Sequence, residues 1–190
     1  MIRTGIYGGS FNPIHNGHIA IAKAMLNLGA IDEVWLMVSP QNPLKQAADL
    51  LDDSLRLDMT RRAVEGIKGI EVSDYEFRLP RPSYMWNTLL HLSHDYPDRE
   101  FCLLIGADNW LVFDRWYHAD DIIANYPIRI YPRRGYDIDT ASLPPTVKLV
   151  DTGLYDVSST EVRDIIRRGE DPSPLIPPCI AAQAIEVYQK

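Results

Sequence analysis

The chain has 190 residues, a length suited to one domain with its own core over residues 1–190. Its 46% hydrophobic and 24% charged content is that of a soluble globular protein, and no apolar run is long enough to cross a bilayer. The formal net charge of −7 repels a nucleic-acid backbone, so an anionic ligand has to meet a local basic cluster. The opening MIRTGIYGG has no long apolar stretch leading to a cleavage site, so a cytoplasmic protein is expected. Two cysteines, Cys102 in the strand-like FCLLIG and Cys179 near the end, argue against a disulfide framework or a zinc site.

In chain order, RTGIYG reads as a strand, followed by a helix from about His18 to Leu28 closed by Gly29, and then the strand EVWLMV. This is a βαβ unit. The polar loop SPQNPLKQAADLLDDS comes next, and then a helix to about Ile67 with Leu55, Met59, Ala63 and Ile67 on one face. The strand GIEVS, the loop YEFRLPRPS, a helix from about Met85 to His94 and the strand run FCLLIGAD continue the alternation. IRIYPRR, a proline-rich loop and VKLVD follow, then a helix beginning at SSTEVRDIIRRG and another ending at Tyr188. Such alternation predicts an α/β fold: a doubly wound, mostly parallel sheet with helices on both faces.

In sheets of this kind the first strand-to-helix turn is the usual phosphate cradle. Here it is GGSFNPIHNGH. Gly8 and Gly9 allow close backbone approach, and a helix beginning near His18 aims unpaired N–H groups at the same point. His15 and His18, three residues apart on the first turn, are placed to donate to phosphate oxygens. Taken singly, each histidine reads as an incidental cap. A second phosphate-type site lies at Ser158, Ser159 and Thr160, a hydroxyl cluster at a helix start with Arg163 one turn in, on the same face as Thr160.

GGSFNPIHNGH resembles the G-[ST]-F-[DN]-P-[IV]-H-x-G-H signature of the nucleotidyltransferase superfamily, and in particular that of nicotinate- or nicotinamide-nucleotide adenylyltransferases. Three further segments are similar to motifs of that family in the same order: SPQNPLK at Ser39–Lys45, LIGADNWLVFDRW at Leu104–Trp116, and VSSTEVR at Val157–Arg163. The resemblance implies a Rossmann-like fold and transfer of the adenylyl group of ATP to nicotinate mononucleotide. The products are nicotinate adenine dinucleotide and pyrophosphate, in NAD biosynthesis. It implies that His15, His18 and Arg163 serve catalysis, and that Gly8, Gly9, Ser10, Phe11, Gly106, Asp108, Ser158, Ser159 and Thr160 join them in holding ATP. Lys45, Tyr84, Met85, Thr88, Trp116, Arg133 and Arg134 would meet the mononucleotide, with Trp116 stacked on its ring. Without the resemblance, Trp116 reads equally as core, Lys45 as a loop lysine and the arginine pair as solvated.

No resident metal site is expected: Asp114, Asp120 and Asp121 fall at a loop-to-helix boundary, and magnesium would ride on the ATP phosphates. The expected partners are the two small substrates, with no nucleic acid and no membrane; a homo-oligomer stays open. SYMWNTL, at Ser83–Leu89, departs at Met85 and Asn87 from the family's S-Y-T-x-D-T-L, which leaves acid-versus-amide preference open, the acid being expected. The alternatives are a phosphopantetheine adenylyltransferase, which resembles T-x-G-H where this chain has HNGH, and an inactive nucleotide-sensing module.

Overall fold

The computed structural model describes residues 1–40 and 49–190. Six strands form one sheet: β1 (Ile2–Gly9), β2 (Glu33–Val38), β3 (Ile70–Ser73), β4 (Arg99–Gly106), β5 (Ile128–Tyr131) and β6 (Val147–Leu149). Their order is β3-β2-β1-β4-β5-β6, and every pairing is parallel. The order runs outward in both directions from the β1/β4 pair. That pair is the topological switch point, where the crevice for a ligand opens beyond the strand ends.

Both faces of the sheet are covered, so the central strands read as almost unbroken apolar runs. Along β4, Phe101, Leu103 and Ile105 enter one core with Ile6, Met37 and Leu89. Cys102 and Leu104 enter the other, with Ile14, Met25, Met59 and Ile180. Cys102 is thus a buried free thiol, and Cys179 is a free, exposed one. The helices are α1 (Asn16–Leu28), α2 (Asp53–Val64), α3 (Met85–Asp95), α4 (Ala107–Trp110), α5 (Ala119–Asn125), α6 (Ser159–Arg167) and α7 (Pro178–Tyr188). No described helix is long and apolar enough to cross a membrane.

Two elements differ from the sequence expectation. Helix α1 starts two residues earlier than the apolar pattern implied, at Asn16 with His15 as its cap, because the histidine side chain does the work expected of Ser or Asp. Helix α2 ends at Val64 and buries Arg56, Met59, Thr60, Ala63 and Val64 instead of the stripe through Leu55 and Ile67. That row still has the 3–4 spacing of a helix face, but it is phased on an arginine, the residue type least expected inside.

Candidate active site

At the end of β1 the chain turns through Ser10 and Phe11, which takes a φ of 45°, into the cap of α1. His15 and His18 cap each other's backbone: Nδ1 of His15 accepts from the His18 N–H at 3.3 Å, and Nδ1 of His18 accepts from the His15 N–H at 3.2 Å. The rings stack with centroids 3.6 Å apart. An imidazole whose Nδ1 accepts a backbone N–H carries its proton on Nε2 when neutral. Capping therefore settles the tautomer and makes Nε2 the donor on each ring, so the cap reading and the ligand-donor reading of these histidines describe one arrangement. Burial, with the positive charge of Arg133 nearby, pushes the His15 pKa down to about 3. At neutral pH His15 is a neutral donor. Gly17 explains the G of H-x-G-H: a Cβ there would stand 3.0 Å from Cε1 and Nδ1 of the His15 ring.

Helix α6 comes to the same turn from the far end of the chain. Ser158 is its N-cap, with Oγ accepting from the Glu161 N–H at 3.1 Å. Ser159 Oγ donates to the Pro13 carbonyl at 2.9 Å, and Arg163 donates through Nη1 to the Asn12 carbonyl at 2.8 Å and through Nη2 to Thr160 Oγ1 at 3.3 Å. Thr160 and Arg163 share a face, as their spacing implied. The Arg163 Nε is buried with no hydrogen-bond partner. Two helix beginnings from opposite ends of the sequence thus open on one space.

Beneath them lies Arg56, fully buried, which sequence reasoning missed. Its guanidinium donates to the carbonyls of Ser10 and Ser39 at 2.5 and 2.8 Å, and to that of Leu51 at 2.8 Å. It ties the end of β1 to the end of β2 and to the entry of α2. Its place on the 56-59-60-63 row is the signal that would have found it.

On the β4 side, Gly106 precedes α4, and a Cβ there would collide with Asp108 Oδ1 and meet the Tyr131 ring at 3.1 Å. Asp108 Oδ1 and Arg133 Nε face each other at 3.6 Å, both buried and neither hydrogen-bonded. Each keeps capacity for another partner.

Between these groups and α3 lies a cavity of about 340 Å³. Its wall includes Gly8, Gly9, Tyr84, Met85 and Trp116, all named from the sequence. Trp116 packs on Phe113 with centroids 4.8 Å apart and lines the cavity. Thr88 is buried behind the wall, where Oγ1 donates to Glu76 Oε1 at 2.8 Å. Glu76 itself, 2% exposed, is on the wall, and nothing in the local sequence YEFR distinguishes it from a surface carboxylate. Arg134 turns away: it pairs with Asp156, its side chain 74% exposed. Lys45 lies outside the described residues.

A parallel sheet that gathers phosphate-type donors at its switch point is the architecture of a nucleotidyltransferase. Residues 6–165 match the cytidylyltransferase-like family. A probable nicotinate-nucleotide adenylyltransferase of Bacteroides fragilis is 46% identical over 184 residues, 97% of this chain and 92% of the relative. The corresponding protein of Flavobacterium johnsoniae is 40% identical over 93% of both chains. In fold, the chain is similar to Plasmodium falciparum nicotinic acid mononucleotide adenylyltransferase complexed with NaAD, at a TM-score of 0.82 and 21% identity, covering 99% of this chain and 96% of that one. The chain belongs to the cytidylyltransferase-like family and, within it, to the nicotinate-nucleotide adenylyltransferases.

Proposed function

We propose that the chain transfers the adenylyl group of ATP to the phosphate of nicotinate mononucleotide, releasing pyrophosphate, as a step of NAD biosynthesis. The observation that carries this reading is the meeting of α6 with the β1–α1 turn, where Ser159 and Arg163 bind the carbonyls of Pro13 and Asn12. Neither helix start is a triphosphate site of sufficient reach; together they enclose one. The ATP phosphates lie against Gly8, Gly9, Ser10 and Phe11 and between His15, His18 and the Ser158–Ser159–Thr160 cap, with Arg163 on the outer phosphates. Gly106 and Asp108 take the adenosine. The pyridine ring enters the cavity beside Trp116, and its carboxylate meets the start of α3, where Tyr84 and Met85 present backbone and no side chain caps the helix. Arg133, facing Asp108, is within the same crevice and carries positive charge toward the mononucleotide phosphate.

The chemistry needs no covalent intermediate. A phosphate monoester has a second pKa of about 6, so at neutral pH the nucleophile is ionised and needs no general base. The barrier lies in bringing two anions into line and in stabilising charge on the departing pyrophosphate. The Nε2–H donors of the two imidazoles, the Arg163 guanidinium and two helix N-termini act on that charge without having to reorganise. Magnesium bound to the ATP phosphates would neutralise part of their charge. Among the described residues no three His, Cys, Asp or Glu side chains are grouped to hold a metal ion. One sheet running from β1 to β6 supports treating residues 1–190 as one domain.

The test is pyrophosphate release from ATP with magnesium and either nicotinate mononucleotide or phosphopantetheine. Release with the first alone is expected. Release with phosphopantetheine alone, or binding of ATP without release in any mixture, overturns the assignment in favour of the other transferase or a sensor.

A further inference from the structure

Glu76 is a charged residue of the cavity wall that the adenylyl-transfer reading leaves unused. It sits in the short turn Tyr75–Arg78, and its carboxyl is pressed against the first turn of α3. Oε1 accepts from Thr88; Oε2 is buried with no hydrogen-bond partner, as is the nearby Ser83 Oγ. Glu76, Ser39, Ser83 and Met85 lie on the same cavity wall. A carboxylate this buried, facing hydroxyls and, among the described residues, no ion-pair partner, carries its charge at a cost, so burial favours the neutral acid. The groups that act on it are few: Thr88 from α3, Ser39 from the end of β2 and Ser83 from the approach to α3. Each hydroxyl pulls its pKa down, but burial outweighs them and raises it. Arg115 is the other charged residue on the cavity wall.

We propose that Glu76, as a neutral acid, is the specificity-determining residue that sets the preference between a carboxylate and a carboxamide on the pyridine ring. This rests on the reading that places the ring in this cavity. A protonated Glu76 tolerates an anionic ring substituent at the start of α3 and offers it a proton donor. An ionised Glu76 repels that substituent and accepts from the amide N–H₂ of the neutral analogue. Preference for the acid therefore falls as Glu76 loses its proton.

The experiment measures kcat/KM of the full chain for nicotinate mononucleotide and for nicotinamide mononucleotide, with ATP and magnesium, from about pH 5.5 to about pH 9, a span that covers documented buried carboxyls. Both substrates carry the same phosphate and meet the same histidines, so those titrations cancel in the ratio of the two constants. In the unmodified protein the acid/amide ratio should fall by about tenfold or more as pH rises, the scale of a charge pair at short range in a protein interior. In Glu76→Gln, which keeps the neutral shape, the ratio should be flat. Thr88→Val removes a donor to the ionised form and should move the midpoint to higher pH. A flat ratio in the unmodified protein, a Gln variant that follows it, or a Val variant with an unmoved midpoint overturns the proposal while leaving adenylyl transfer standing. If neither mononucleotide is adenylylated, the parent reading fails and this proposal fails with it.

Discussion

The two ends of the crevice are built on opposite principles. At the end proposed for the phosphates, His15, His18 and Ser158–Arg163 sit on helix starts, and their donors are held mainly by their own local backbone. At the end proposed for the pyridine ring, Trp116, Met85 and the buried acid Glu76 come from three separate segments and meet at one cavity. Short-range chain geometry makes a strong anion site, because a helix start already orients its N–H groups. Discrimination between a carboxylate and a carboxamide on rings of the same size needs surfaces brought together by the fold.

If that contrast holds, damage at the phosphate end should strike turnover, and damage at the ring end should strike affinity for one substrate. The largest effect is expected for His18→Ala. Losing one preorganised donor costs about 3 kcal/mol of barrier, so kcat should fall about a hundredfold or more in steady-state assays. Near-normal turnover would remove the histidine pair from the mechanism.

Next in size is the stability of the same end as a function of pH. The folded-state pKa of His15 is about 3, below its ordinary 6.5, so between those values the unfolded chain binds more protons than the native one. Stability from this group is therefore intact above about pH 6.5 and is lost as pH falls, by about 3 kcal/mol at about pH 4. Urea titrations across that range should show the loss, and His15→Asn, which keeps a capping acceptor, should flatten it. An equal slope in the variant would place the acid sensitivity elsewhere.

At the ring end, Trp116→Ala removes a stacking surface worth about 1–2 kcal/mol, so KM for the mononucleotide should rise about tenfold while KM for ATP stays within about twofold. A loss confined to ATP would reverse the assignment of the two ends. The smallest effect is expected for Arg134→Ala. Its partner Asp156 is exposed, and such pairs contribute about 0–1 kcal/mol, so stability should change by less than about 1 kcal/mol and kcat/KM by less than about fivefold. A large loss would bring Arg134 into the site after all.

How much of this could be read from the chain follows the same division. The βαβ alternation, the cap at Ser158 and the phosphate turn are local patterns, so their positions followed from spacing alone. The start of α1 was displaced by two residues because a histidine stands in for the usual cap residues. Arg56 escaped notice because an arginine on an apolar row reads as surface until the carbonyls of Ser10 and Ser39 are seen to surround it. Glu76 escaped because its burial comes from β2, α3 and the turn before α3.

The order of strands and helices, the two helix-start motifs and the family resemblance belonged to the sequence, because periodicity and capping act over a few residues and leave a local trace. Only the tertiary structure decided that Asn12 and Arg163, 151 positions apart, touch, that each histidine keeps its proton on Nε2, and that an acid lies hidden beside Met85. Those depend on desolvation and on partners distant along the chain, and neither quantity exists until the sheet brings its strand ends to one edge.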